Sequence, residues 1–214
     1  SGGSLSNSAV TLAAGTALSL RVYSGDGAWS CKSLALGGGT VTASFFFYGA
    51  SPSAVTAPLL VNGDLVNDGT LNVAVDGAAL TNGVYPLIRY TGALTGSGTL
   101  GSVTLPNGGV ATLVDNAGNK TIDLSVTTAV APLVWNGGSG DWDIGFTANW
   151  TGLRTTYLDG DLVRFDDTSS GGTDLAVALA ATVQPNQVIF DNAAKAYTLA
   201  GPGALAGAAG IRKS

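Results

Sequence analysis

"GTALSLRVYSGDG" runs from Gly15 to Gly27, and the reading of this stretch decides the fold. Leu18, Leu20 and Val22 alternate with Ala17, Ser19 and Arg21. Successive side chains of a strand point to opposite faces, so this period of two predicts a strand with one buried face. The same alternation runs through "GTVTASFFFYG" (39–49), "GTLNVAVDG" (69–77), "GTLGSVTL" (98–105) and "KTIDLSV" (120–126). In the last, Ile122, Leu124 and Val126 take one face while Thr121, Asp123 and Ser125 take the other.

Most of these strands open on a Gly-Thr pair: Gly15-Thr16, Gly39-Thr40, Gly69-Thr70 and Gly98-Thr99, separated by 24, 30 and 29 residues. A loose period of ~20–45 residues is the mark of stacked structural repeats, in which each turn covers the apolar face of the next. Between the strands, "VNGDLVNDG" and "LPNGG" carry Asn-Gly and Asp-Gly steps that accept the positive φ of tight corners. Those steps also suit two-residue hairpins, so local chemistry alone leaves a meander open beside a coil. Few large aromatics, many inward Ala, Val and Leu, and short strand cues throughout favour the coil. A two-sheet sandwich or a barrel wants bulkier residues at its centre. The expected class is all-β: a parallel β-helix, or β-solenoid, of short strands joined by Gly, Asn and Asp turns.

Composition bounds the function. The 214 residues include 32 glycines, no histidine, no methionine and no glutamate, and only 11% are charged. With no histidine, Ser-His-Asp and Cys-His catalysis and His-based zinc sites are impossible. Paired aspartates stay formally open for glycoside chemistry, and a groove lined by Asp with Arg164 or Lys195 is what that would require. No such spacing stands out, so no catalysis and no cofactor are expected. The nine Lys and Arg are scattered against a net charge of −5, which leaves no stripe to track a phosphate backbone. Nucleic acid is therefore not an expected partner. The longest apolar run, Leu175 to Val183, is far short of the ~20 residues that span a bilayer. No secretory signal opens the chain, and its first residues read as the middle of a repeat, so a processed piece of a longer protein is expected. The lone Cys31, flanked by "AWS" and "KSLAL", reads as a buried thiol.

A shift comes near "VTTAVAPLVWNGG" (126–138), and three of the four tryptophans, Trp135, Trp142 and Trp150, lie in or after it. The division expected is 1–130, an irregular solenoid segment, and 131–214, a Trp-containing unit continuous with it. The pieces "WNGGSGDWD" (135–143), "NW" (149–150), "DGDLVRFDD" (159–167), "VQPNQVIFDN" (183–192) and "YTLAGPGALAGAAGIRKS" (197–214) resemble the autotransporter-associated β-strand repeat of giant bacterial surface proteins. The resemblance covers roughly the last 80 residues; residues 1 to 130 look like filler between such units. It implies a right-handed parallel β-helix outside a Gram-negative-type cell, in an adhesive, fibrous or surface-layer role without catalysis. In that family the last piece runs on into another strand, so the chain looks cut within an array.

Four groups of residues are candidates for chemistry. Trp142 and Trp150 could stack on surface glycans, which would make Trp135 to Trp150 the heart of a carbohydrate-binding module. The bland alternative is that the indoles seal the core where the coil changes cross-section, and it is preferred. Asp159, Asp161, Asp166 and Asp167 offer hard oxygen ligands for Ca²⁺, although no calcium-loop spacing surrounds them. In "SFFFYG", Phe45 and Phe47 face one way while Phe46 and Tyr48 face the other; an uncovered Phe46–Tyr48 pair would be a self-association patch. Unpaired strand edges at terminal turns are the last candidate, expected to meet neighbouring repeats or other copies of the chain.

Overall fold

The computed structural model describes residues 4–23, 28–48, 50–207 and 210–214, with the side chains of 4–6 left aside. The Asp26-Gly27 step, Gly49 and the Ala208-Ala209 pair, all within stretches quoted above, lie outside the described residues. Among these residues there are strands and turns and no helix. The chain divides into two compact units, one of Ser1–Leu105 with Gly109–Ala129, the other of Pro106–Gly108 with Val130–Ser214.

Unit 1 holds β1 (Ser4–Leu12), β2 (Ala17–Tyr23), β3 (Trp29–Leu36), β4 (Thr40–Tyr48), β5 (Leu59–Val61), β6 (Leu65–Asn67), β7 (Thr70–Asp76), β8 (Gly83–Tyr90), β9 (Leu94–Thr95), β10 (Thr99–Thr104), β11 (Val110–Asn116) and β12 (Thr121–Thr128). The chain alternates between two sheets. One runs β2-β4-β7-β10, every neighbour parallel. In the other, β1 pairs with β3, β3 with β5 and β6, and these with β8 and β9, again parallel. The Gly-Thr pairs all sit at the start of strands of the first sheet.

The glycines at those corners explain the spacing. Thr70 N–H donates to Gly39 O at 2.7 Å, and Thr99 N–H donates to Gly69 O at 2.8 Å. Backbone therefore lies directly on backbone from one turn to the next. A Cβ on Gly69 would stand 2.1 Å from Gly39 O, and one on Gly98 would stand 2.2 Å from Gly69 O. Only glycine fits this stack.

Along β4 the predicted alternation is complete: Val41, Ala43, Phe45 and Phe47 are buried, with Thr42, Ser44, Phe46 and Tyr48 half-buried between them. In register, Phe45 sits between Leu20 and Val75, and Ala43 between Leu18 and Val73. Burying each large apolar side chain of such a column contributes about 1.5–3 kcal/mol. Cys31 is 0% exposed in the column that runs to Val61 and Tyr90, and burial pushes its thiol pKa up. A neutral thiol reagent is expected to leave Cys31 untouched in the folded protein and to label it fully in denaturant. Stoichiometric labelling under native conditions would contradict this packing.

The parallel pattern stops at "KTIDLSV". This stretch was expected to be one more strand of the coil. It is instead antiparallel to β8, and forms a hairpin with β11. The turn at Asn116–Lys120 makes the reversal. Asn119 N–H donates to Asn116 O at 3.1 Å, and Lys120 takes φ 55°. The hairpin lays β12 along the edge of β8 that β5 leaves open, which removes an exposed row of backbone donors and acceptors.

Unit 2 repeats the two-sheet alternation with β13 (Leu133–Trp135), β14 (Gly140–Trp142), β15 (Trp150–Thr151), β16 (Leu162–Asp166), β17 (Asp174–Leu179), β18 (Gln187–Asp191), β19 (Ala196–Ala200) and β20 (Gly210–Lys213). The parallel ladders are β13-β16-β18-β20 and β14-β17-β19, and β15 closes antiparallel on β13. The side chain of Asn107, which belongs to this unit, imitates a peptide group at the start of β16. It accepts from Leu162 N–H at 2.8 Å and donates to Leu162 O at 3.0 Å.

Candidate functional site

The tryptophans end short strands that the Gly-rich segment folds back on one another. Trp135 closes β13, Trp142 closes β14 and Trp150 opens β15. Asn136 N–H donates to Asn149 O at 2.8 Å, and Asn149 Nδ2 donates to Asp141 O at 2.9 Å, so the Asn149-Trp150 pair clamps the reversal. Gly137 is needed here because a Cβ would approach Asn149 to 2.6 Å.

The result is a closed aromatic core. Trp150 meets Trp135 edge to face at 5.0 Å, Trp142 at 5.2 Å, Phe165 at 5.6 Å and Tyr157 at 6.0 Å. The exposures of Trp135, Trp142 and Trp150 are 0%, 0% and 2%. The glycan platform expected as the alternative at Trp142 and Trp150 is therefore corrected: neither indole offers a face to a ligand, because Phe165, Tyr157 and the other indoles occupy those faces. Trp135 Nε1 donates to Gly138 O at 2.9 Å, while Trp142 Nε1 is buried without a partner among the described residues. Burial, then hydrogen bonding to Asp159, raises the Tyr157 pKa and keeps its hydroxyl protonated.

The four aspartates named as calcium candidates are held by contacts within the protein. Asp159 accepts from Tyr157 Oη at 3.0 Å and from Gln184 N–H at 2.7 Å. Asp161 pairs with Arg154 and accepts from Leu158 N–H at 2.8 Å. Asp166 pairs with Arg164 at 2.9 Å and accepts from Thr168 N–H at 2.9 Å. Asp167 receives the N–H groups of Ala193 at 2.9 Å, Ala194 at 3.0 Å and Lys195 at 2.9 Å. Each carboxylate has its own hydrogen-bond or ion-pair partners, and among the described residues no group of three or more metal-ligating side chains forms. Arg164 is taken by Asp166, and Lys195 Nζ donates to Gly171 O at 3.1 Å and Gly172 O at 2.9 Å. Of the two cations named for a catalytic groove, Arg164 thus pairs within β16 and Lys195 ties down the Gly171–Gly172 loop.

These carboxylates carry a pH prediction. Burial pulls the Asp143 pKa up, but the Thr147 hydroxyl and the N–H groups of Thr147 and Phe146 outweigh it and leave it lowered. Asp167 is lowered by the N–H groups of Ala193 and Lys195, with Ala194 and the Lys213 charge adding to them against slight desolvation. A depressed folded pKa contributes stability above the unfolded value of about 3.9 and loses it as pH falls through the lower folded value. Carboxyl NMR titration is expected to place both midpoints below that value, with the amides of Thr147 and of 193–195 moving in the same steps. Midpoints at or above it would remove these hydrogen bonds from the folded state.

Phe46 and Tyr48 lie half-buried on the outward side of β4. Tyr48 packs on Tyr23 at 5.3 Å and on Phe46 at 5.8 Å, so the aromatics cover one another in part.

One group of residues escaped the sequence reading. The alternation puts Asp123 on the water side of its strand, yet it is 3% exposed. The segment 50–58, part of the longest connection between strands of unit 1, faces it across a cleft of about 360 Å³. The length of "ASPSAVTAP" beside its much shorter neighbours was the available signal. No known protein family, curated protein or solved structure matches the chain.

Proposed function

We propose that this chain is a structural and adhesive segment of an extracellular bacterial surface protein, built as a right-handed parallel β-solenoid. The observation that carries the reading is the turn-by-turn parallel stacking of the Gly39, Gly69 and Gly98 corners, which leaves no room for any residue but glycine. The right hand follows from the strong preference of strand–crossover–strand connections, such as β3 to β5 through β4. Hydrogen bonds along the stacking direction give each unit stiffness without disulfides. The extracellular, Gram-negative-type setting rests on the resemblance of residues 135–214 to autotransporter-associated repeats. Catalysis forms no part of the role, in keeping with a chain that has no histidine.

End strands supply the means of association. Among the described residues β2 pairs only with β4, and β20 only with β18, so each offers an edge to a further turn or another copy. Thr16 O faces β4, and by strand parity the N–H of Ser19 points away from it. Ser19→Pro therefore removes an outward donor and leaves the β4 ladder whole. Sedimentation velocity is expected to show mass rising with concentration in the native sequence and suppressed in this variant. A monomer at every concentration overturns end-to-end association. Antibodies to the folded chain are expected to label intact source cells, and labelling only after permeabilisation overturns the surface role.

A further inference from the structure

The cleft over Asp123 lies wholly within unit 1 and is independent of the stacking role. Its floor is the outward side of β8, β12 and β11, contributing Arg89, Thr121, Asp123 and Asn116. Its wall is the loop at 50–58, whose bend is held by Ser53 Oγ accepting from Val55 N–H at 3.1 Å and Thr56 N–H at 3.0 Å. Within the loop Ala57 is buried, while Val55 at 85% and Val84 at 51% exposure form an apolar rim.

Three features of the floor point to a ligand. Asp123 Oδ2 accepts from Asn116 Nδ2 at 2.9 Å, but Oδ1 is buried and has no donor among the described residues. A carboxylate oxygen held away from water without a donor is a costly arrangement that a bound hydroxyl relieves. The ladder is irregular at this position, with the register slipping between Ile122 and Asp123 opposite Pro86. Pro86 has no N–H to give β12, and such bulges re-aim side chains beside functional sites. Finally, the cleft is lined by one cation, Arg89, and one anion, Asp123, so its charges balance and it favours neither a charged donor nor a charged acceptor. Its volume falls within the range of small-molecule sites, ~300–1,000 Å³.

We propose that this cleft binds a neutral, polyhydroxylated ligand, namely a sugar residue of a glycan. A hydroxyl donates to Asp123 Oδ1, the amides of Asn116 and Asn119 and the Arg89 guanidinium meet the remaining oxygens, and Val55, Val84 and Pro86 pack on the C–H face of the ring. The segment 50–58 yields at Val55 to admit it.

The test is an amide chemical-shift titration of the folded chain with methyl glucoside, methyl galactoside and methyl mannoside, with sulfate and free arginine as charged probes. Saturable shifts for at least one glycoside, centred on Val55, Asn116, Asn119 and Asp123, are expected. Arg89→Ala and Val55→Asp change exposed side chains and are expected to weaken binding at least tenfold, with an unchanged melting temperature. Asp123→Asn should weaken it similarly while leaving the β8–β12 amide pattern in place. No shift with any glycoside overturns the proposal, as do shifts centred elsewhere, a preference for sulfate or arginine, or binding that survives all three substitutions. Because the readout is monomeric ligand binding, its failure leaves the self-association result standing, and the reverse also holds.

Discussion

Trp150→Ala is expected to destabilise unit 2 by about 3–5 kcal/mol, the range for emptying a large aromatic site in a packed core. The site cannot collapse easily, because Trp150 is met on its several sides by Trp135, Trp142, Tyr157 and Phe165 at 5.0 to 6.0 Å. Domain stabilities are only about 5–15 kcal/mol, so this loss takes much of what a unit of this size holds. Denaturant unfolding followed by far-UV circular dichroism measures it without depending on the deleted fluorophore. A loss below about 1 kcal/mol would mean that the indole is not core. A finer comparison follows from the ring nitrogens. Trp135→Phe leaves Gly138 O without its donor, whereas Trp142→Phe deletes an N–H that has no partner among the described residues. The first is expected to cost about 1 kcal/mol more than the second.

Gly69→Ala is expected to destabilise unit 1 by about 3 kcal/mol, the upper part of the overpacking range, because the new methyl has nowhere to go. It would meet Gly39 O at 2.1 Å and Gly37 O at 2.4 Å, both backbone atoms fixed by the stack. The neighbouring Gly38 is the control, since a Cβ there finds only Asp68 O at 4.0 Å and its φ is not positive. Gly38→Ala is expected to be neutral, or slightly stabilising because alanine restricts the unfolded chain. Chemical unfolding of the two variants side by side decides the matter. Equal stabilities would mean that the turns do not approach as closely as the corner geometry requires.

The two substitutions also mark what was readable in advance. Strand positions and their inward residues followed from period-two alternation, and Val41, Phe45, Leu71, Val73 and Ile122 are buried as that pattern requires. The Gly-Thr starts were visible as a spacing, but their reason was not: a glycine needed for close approach looks the same as one needed for a turn. The hairpin at Asn116–Lys120 was missed because an Asn/Gly-rich turn serves a coil corner and a reversal equally well. The Asp series from Asp159 to Asp167 suggested a metal only while the loops that claim each carboxylate were out of view.

Strand character, side-chain facing and the absence of histidine chemistry are local properties, set by each residue and its neighbours two positions away, and they could be taken from the amino-acid order alone. Strand direction, the cover over Asp123 and the sealing of the indoles depend on segments tens of residues distant. A strand carries the same alternation whether its neighbour runs parallel or antiparallel, and a polar residue on its outer side carries no mark of the loop that will lie across it. Those outcomes were decided by packing between distant parts of the chain, and only the tertiary structure holds them.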